Sequence, residues 1–139
     1  MKIVVLQRHD FNLDSIRDAV ADINPQLAEE IVFTENPSAA LDYVSDVKEP
    51  VLVVSGQIFN HRTSGTRLAQ AMKYSNPGVI FFLFTLASVT GVGIGAVDGF
   101  IPESSGGPKS GIGYLAKILT SNLEGATAAS IKAAFPQIS

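Results

Sequence analysis

The stretch "PVLVVSGQIFNHRTSG", residues 50–65, contains the most apolar strand-like segment of the chain and decides the fold. Its first part, "VLVVS" at 51–55, is typical of a strand that is covered on both faces in a parallel sheet. The run then breaks at Ser55-Gly56. In parallel α/β proteins a ligand or a reactive group commonly lies at the carboxyl end of such a strand. A serine and a glycine there, with no charged side chain, raise the question of what this edge of the sheet does.

The remainder of the chain alternates between strand and helix patterns. Strands are predicted at 2–6, 30–35, 51–55, 79–85 and 98–103. Helices are predicted from Asp14 or Ser15 to Ile23, from Asn36 through Val44, from about Ser64 to Tyr74, and from Gly111 to Leu123. This alternation predicts an α/β fold of three layers, α/β/α, in which helices cover both faces of a five-stranded parallel sheet.

Two segments depart from this regularity. Between the fourth and fifth strands, "LASVTGVGIGAV" at 86–97 has three alternating glycines, each of which costs about 1 kcal/mol against alanine inside a helix. We expect this element to be short, frayed or non-helical. The second is the tail, 124–139, predicted as a C-terminal extension of a domain at 1–123. Its alanine-rich "ATAASIKAAF" predicts a short helix that ends at Pro136.

Composition excludes several classes of protein. The 139 residues are 46% hydrophobic and 17% charged, which is too apolar for a disordered chain and fits one globular domain. The net charge of −3 and the lack of a basic cluster argue against nucleic-acid binding. The absence of cysteine excludes disulfides and thiolate chemistry. The apolar runs are too short for a secretory signal or a membrane span, so we expect a cytoplasmic protein without a membrane anchor.

The order of elements, together with "FLFT" at 82–85 and "GAVDGFIPES" at 95–104, resembles the CheY-like receiver domain of bacterial response regulators. The resemblance covers residues 1–123. It implies a flavodoxin-like fold with strand order 2-1-3-4-5.

The positions that match the family's phosphorylation pocket carry different chemistry. Gln7 and Arg8 stand where receivers have the acidic pair that holds Mg²⁺, and Ser55 or Gly56 stands at the phosphoacceptor aspartate. Thr85 matches the hydroxyl residue that senses the phosphoryl group, and Glu103 replaces the expected lysine. An amide and a cation do not supply the carboxylate oxygens that Mg²⁺ requires, and neither Ser55 nor Gly56 can form an acyl phosphate. The resemblance therefore implies a degenerate pocket without a metal.

From this pocket we expect a non-catalytic pseudo-receiver of the two-component type, which has no cofactor, is not an enzyme, and binds a signalling protein without aspartate phosphorylation. A homodimer stays open. One alternative is a small module that binds an anion or a nucleotide at the carboxyl ends of the strands. Its lining would be Ser55, Thr85, Ser88, Ser104, Ser105, Gly106 and Gly107. A second alternative is an atypical receiver with displaced acidic residues, such as Asp10 or Asp14.

Overall fold

The computed structural model describes residues 1–57, 59, 62–85, 89–103 and 111–139, and for residues 10 and 11 it describes the backbone. The strands are β1 (Lys2–Leu6), β2 (Val32–Thr34), β3 (Val51–Ser55), β4 (Ile80–Thr85) and β5 (Gly99–Pro102). The helices are α1 (Asp10–Ile23), α2 (Pro25–Glu30), α3 (Pro37–Asp46), α4 (Gly65–Ser75), α5 (Gly111–Leu119) and α6 (Ala128–Ala134), with a 3-10 turn at Ile94–Ala96. Within the described ranges, no helix has the length and apolar character needed to cross a membrane.

The five strands form one parallel sheet in the order β2-β1-β3-β4-β5. This confirms the predicted three-layer α/β/α architecture and the flavodoxin-like strand order. The register pairs Leu6 of β1 with Ser55 of β3, and Ser55 with Leu83 of β4. Because the sheet is parallel and in register, the carboxyl ends of β1, β3 and β4 lie along one edge.

Two hydrophobic cores lie on the two faces of the sheet. One face packs against α1, α2, α5 and α6, and we call it the α1/α5 face. The other packs against α3 and α4, and we call it the α3/α4 face. In β3, Leu52 and Val54 point to the α1/α5 face, whereas Val51 and Val53 point to the α3/α4 face. Both faces of β3 are therefore buried, as its uninterrupted apolar sequence predicts.

The first half of the chain differs from prediction mainly at the start of α1, in an additional helix α2 and in a shorter β2. Helix α1 begins at Asp10 and not at Asp14 or Ser15, because the backbone carbonyl of His9 accepts hydrogen bonds from the first turn without a side-chain cap. Asn24-Pro25 does end α1, but it also begins α2, where the Asn24 side chain accepts from Leu27 N at 3.1 Å. The extra helix shortens β2 to Val32–Thr34, against the predicted 30–35.

Helix α5 ends at Leu119, four residues before the predicted Leu123. The hydroxyls of Thr120 and Ser121 donate to the carbonyls of Ala116 (2.8 Å) and Ile118 (2.6 Å). The backbone N–H of Thr120 still donates to Ala116 at 3.0 Å, but that of Ser121 donates to the carbonyl of Ile118 at 3.2 Å. This bond spans three residues instead of four, so the α-helical pattern ends at this point.

The described part of the connection between β4 and β5 contains the 3-10 turn and no α-helix, which confirms the expectation for the glycine-rich segment. Gly93, immediately before the turn, has a φ of +89°. A methyl group at this position would lie 2.0 Å from the carbonyl oxygen of Thr66. Both the left-handed backbone and the close contact with the start of α4 therefore require glycine.

The tail forms the predicted short helix, α6, which begins with a capping box between Thr127 and Ser130. Ile131 and Ile138 are buried in the core of the α1/α5 face. The backbone N–H and carbonyl of Ser139 exchange hydrogen bonds with those of Phe100 in β5, both at 3.0 Å. The tail thus packs along the outer side of β5, and the division at residue 123 stays a prediction.

Candidate functional site

The candidate site lies where β1 and β3 end side by side in the middle of the sheet. After β1 the chain enters α1 on one face, and after β3 it enters α4 on the opposite face. The two loops therefore separate, and such a reversal of strand order leaves a crevice at the carboxyl edge of an open α/β sheet. Gln7 and Gly56 are the first residues beyond the two strands.

Gln7 is drawn into this crevice by both of its neighbouring strands. Its backbone N–H donates to the carbonyl of Thr34 at 3.2 Å, which extends the pairing of β1 with β2. Its side chain lies over Gly56, where a methyl group would be 3.3 Å from Gln7 Oε1 and 3.6 Å from Nε2. Glycine at position 56 leaves room for this amide. Gln7 as a whole is only 4% exposed.

The amide nitrogen of Gln7 is buried and has no hydrogen-bond partner among the described residues. A buried donor without a partner costs about 1–3 kcal/mol, so native proteins contain few of them. The other two buried polar residues of the described chain are satisfied: Ser55 Oγ donates to the carbonyl of Gly56 at 2.7 Å, and Thr66 is bonded to Gln57 and Ser64. The unmet donor is thus a property of Gln7 and of this crevice.

Ser55 and Gly56 lie toward different faces of the sheet. Ser55 is 0% exposed. In a strand, every second residue points to the same face, so Ser55 points with Val51 and Val53 toward the α3/α4 face. Gly56 follows on the α1/α5 side, next to the amide of Gln7. The residue that faces Gln7 is therefore the glycine, while Arg8 is exposed.

Thr85 and Glu103 form a second group, at the ends of β4 and β5. The backbone N–H of Glu103 donates to the carbonyl of Thr85 at 2.9 Å, one step beyond the pairing of Thr85 with Pro102. Burial raises the pKa of the Glu103 carboxyl, because desolvation disfavours its charged form. This position supplies a partly buried acid where the family resemblance leads one to expect a cation.

The two helix starts at this edge differ in how their N–H groups are satisfied. At α4, Gly65 N donates to the carbonyl of Gln57 at 2.7 Å, Thr66 N to Gln57 Oε1 at 3.0 Å, and Arg67 N to Ser64 Oγ at 3.3 Å. The start of α4 is therefore occupied by groups of the chain itself. At α1, the cap residue His9 contributes no side-chain hydrogen bond.

The residues at the ends of β1 and β3 do not fit Mg²⁺. This ion binds through carboxylate and phosphate oxygens, whereas the site offers the single amide oxygen of Gln7 beside the cation of Arg8. Among the described residues, no group of three histidine, aspartate or glutamate side chains is close enough to hold a metal ion.

The structure thus brings together Gln7, Ser55 and Gly56 at one point of the edge, and Thr85 and Glu103 at another. Ser88, Ser104, Ser105, Gly106 and Gly107, which we also predicted at this edge, lie outside the described residues. The sequence marked Gln7 only as a substituted metal ligand and gave no sign that its amide would be buried. The central position of β1 in the sheet, paired with β2 and β3, is the feature that indicates burial of the residue following it.

A scan against protein-family models gives no match, and a search of the curated proteins finds no similar sequence. The roles considered below therefore rest on the geometry of the site and on the fold.

Proposed function

We propose that the chain is a pseudo-receiver, a non-catalytic regulatory domain of the response-regulator type that acts through protein–protein contacts without phosphorylation of an aspartate. The observation that carries the proposal is the contact of Gln7 with Gly56 at the ends of the two central strands. Phosphoryl transfer in a receiver needs a carboxylate nucleophile and a bound Mg²⁺ at this point. An amide beside a glycine provides neither.

The charges around the crevice support the same proposal. Arg8 brings a positive charge to the position where a metal-binding receiver has a negative one. Glu103 brings an acid to the position of the lysine that stabilises a phosphoryl group, and burial raises the pKa of this acid. Both substitutions oppose the charge pattern that Mg²⁺-dependent phosphorylation requires, while the parallel sheet and its two cores are intact.

An exposed aromatic side chain is a candidate for contact with a partner, and α4 carries one. Tyr74, near the end of this helix, is 93% exposed, and tyrosine is enriched in the centres of protein interfaces. We propose Tyr74 as the first residue to test for contact with a partner. A second copy of the chain and a different signalling protein are both candidates.

The loss of phosphorylation is tested by intact mass spectrometry after incubation with acetyl phosphate and Mg²⁺, beside an active receiver as a positive control. We expect no gain of a phosphoryl group. A stoichiometric gain would refute the proposal and favour the atypical receiver with displaced acids. Because the mass is measured on the whole chain, a phosphoryl group on any residue is detected.

The contact is tested by placing a photo-crosslinking amino acid beside Tyr74, at the exposed Gln70, in cells that express the chain at its natural level. We expect one crosslinked protein that disappears on Tyr74→Ser and persists on Lys48→Ser, a substitution of another exposed residue. Identical crosslinks in both variants would show that this end of α4 is not the contact surface. Mass determination of the crosslinked species distinguishes a homodimer from a second protein.

A further inference from the structure

A groove of about 530 Å³ lies beside β2, the strand at one margin of the sheet, on the α1/α5 face. Helix α1 forms one wall, α2 forms the other, and β2 with the residue before it forms the floor. This volume is in the range of ligand pockets, roughly 300–1,000 Å³. Helix α2 is an addition to the predicted order of elements, so the family resemblance does not imply this groove.

The floor of the groove is apolar and only partly covered. Ile31 is buried, whereas Ala21 and Phe33 are partly exposed. The guanidinium of Arg17 lies 4.8 Å from the centroid of the Phe33 ring, and its Nη1 is 3.2 Å from Asp14 Oδ1. The chain therefore covers part of the floor with a long cationic side chain, a type of group that aromatic rings attract.

The two walls each carry a carboxylate. Asp18 on α1 and Glu29 on α2 line the groove from opposite sides, and both are exposed. Among the residues that the structure describes, no cation pairs with either of them. The segment 10–30 that forms both walls has six acidic residues and one basic residue. This charge repels phosphate groups, so it disfavours nucleic acids and anionic membranes as occupants and favours a cation.

We propose that the groove between α1 and α2 binds a basic segment of a partner protein, in which a lysine or arginine adjoins an aliphatic residue. The aliphatic side chain covers Ala21 and Phe33, and the charged group lies between Asp18 and Glu29. Lysine and arginine suit this groove because they bury their methylene stems along apolar surface and keep the charged end in water.

This surface goes beyond the contact proposed at Tyr74 and does not depend on it. Tyr74 belongs to α4, which packs on the opposite face of the sheet. The two proposals fail in different ways. Covalent phosphorylation would refute the pseudo-receiver and leave the groove untouched, whereas a groove that binds nothing basic would leave the pseudo-receiver untouched.

The test is a titration of the full ¹⁵N-labelled chain with the peptide acetyl-Gly-Lys-Leu-Lys-Gly-amide, followed by NMR. We expect the backbone amides of Ala21, Glu29 and Phe33 to shift and saturate, while that of Lys73 in α4 stays fixed. Groove signals that do not move would overturn the proposal. Equal shifts with acetyl-Gly-Glu-Leu-Glu-Gly-amide would also overturn it, because the charge of the segment would then be irrelevant.

A third peptide, acetyl-Gly-Lys-Ser-Lys-Gly-amide, tests the apolar floor. It keeps both charges and removes the aliphatic side chain, and we expect it to bind about fivefold more weakly because less apolar surface is buried. An affinity equal to that of the leucine peptide would overturn the proposal, since the floor would contribute nothing.

Matched double variants separate the two wall carboxylates from the net charge of the chain. Asp18→Asn with Glu29→Gln should weaken binding of the Lys-Leu-Lys peptide about fivefold, the effect of two exposed charge pairs. Asp42→Asn with Glu124→Gln removes the same charges at exposed positions outside the groove and should change the affinity less than about twofold. Equal weakening by both pairs would overturn the proposal.

A second copy of the chain is the competing occupant. Spectra of the chain alone at increasing concentration test for it, and we expect the amides of Ala21 and Phe33 to stay fixed. Shifts of these signals with concentration, in the absence of peptide, would overturn the proposal and assign the groove to self-association.

Discussion

Asp98 and Gln7 are partly or fully buried polar residues at opposite ends of the same sheet, and they differ in how their polar atoms are satisfied. Asp98, just before β5, accepts on Oδ2 from Lys73 Nζ at 2.7 Å and from Phe81 N at 2.8 Å, and its carbonyl accepts from Lys132 Nζ at 3.2 Å. Gln7, just after β1, has a buried amide nitrogen without a partner in the described part of the chain.

The difference separates a structural role from a functional one. The contacts of Asp98 join α4, β4 and α6, so the fold itself accounts for this residue. The fold does not account for the amide of Gln7, which lowers stability as it stands. A polar group that is costly and unexplained by packing, at an edge suited to ligands, is where function is to be sought.

The largest expected effect on stability comes from removing the carboxylate of Asp98, whose hydrogen bonds are satisfied. Asp98→Ala leaves Lys73 Nζ and Phe81 N without their acceptor, and we expect the free energy of unfolding to fall by about 2–3 kcal/mol. Urea denaturation measures this change. Asp42→Ala, at an exposed position of α3, is the control and should stay within about 0.5 kcal/mol of the unaltered chain. Equal effects of the two substitutions would remove the contrast between Asp98 and Gln7.

A smaller effect is expected from the other member of the ion pair. Lys73→Met removes the charge but leaves the bond of Asp98 to Phe81 N, and both charged side chains are about a quarter exposed, at 28% and 23%. Solvent therefore screens the pair, and we expect a loss of about 1–2 kcal/mol. A double-mutant cycle with Asp98→Ala measures the coupling of the two residues. Additive losses would mean that the ion pair contributes nothing to the role of Asp98.

At Gln7, whose amide nitrogen has no partner among the described residues, we expect a substitution to raise stability instead of lowering it. Gln7→Met removes a buried donor while nearly keeping the side-chain volume, so we expect the free energy of unfolding to rise by about 1 kcal/mol. The exposed Gln70→Met should change it by less than about 0.5 kcal/mol. A clear loss of stability in the Gln7→Met variant would show that the amide does have a partner, and Gln7 would then join Asp98 as a structural residue.

The smallest effect is expected at Glu103, where burial raises the pKa above its ordinary value of 4.5. Because the folded state binds the proton more tightly, this residue favours folding below pH 4.5 and the benefit is lost as the pH rises through the raised pKa. Glu103→Gln should therefore unfold at a slightly higher temperature than the unaltered chain at pH 7, and the difference should shrink in acid. Thermal melts across this pH range check the sign, and a variant less stable at pH 7 would contradict it.

Sequence patterns predicted the sheet well because its signals are local. The apolar runs of β1 and β3 gave the bounds 2–6 and 51–55 that the structure has. Helix α2 was missed although Asn24-Pro25 begins it in the same way as Asn36-Pro37 begins α3, with an asparagine cap and a proline in the first turn. The first pair was interpreted only as an end of α1, because six residues are too few to show helical periodicity.

The candidate site was less predictable because it depends on contacts between distant segments. The short polar run that begins at Gln7 suggests a solvated loop. Gln7 is buried only because β1 pairs with β2 on one side and β3 on the other. Which of Ser55 and Gly56 corresponds to the phosphoacceptor stays a prediction. The end of β3 at Ser55 shows only that Gly56 is the residue beside the Gln7 amide. Burial of a single amide is a tertiary property.

The pairing of Ser139 with Phe100 has a consequence for how the molecules behave at high concentration. Unpaired strands at the two margins of a sheet are templates on which other chains can add, and proteins limit this by shortening or covering them. Here one margin, β2, is three residues long, and at the other the tail occupies the outward N–H and carbonyl of Phe100. The tail therefore limits edge-to-edge aggregation at β5 and also contributes side chains to the core.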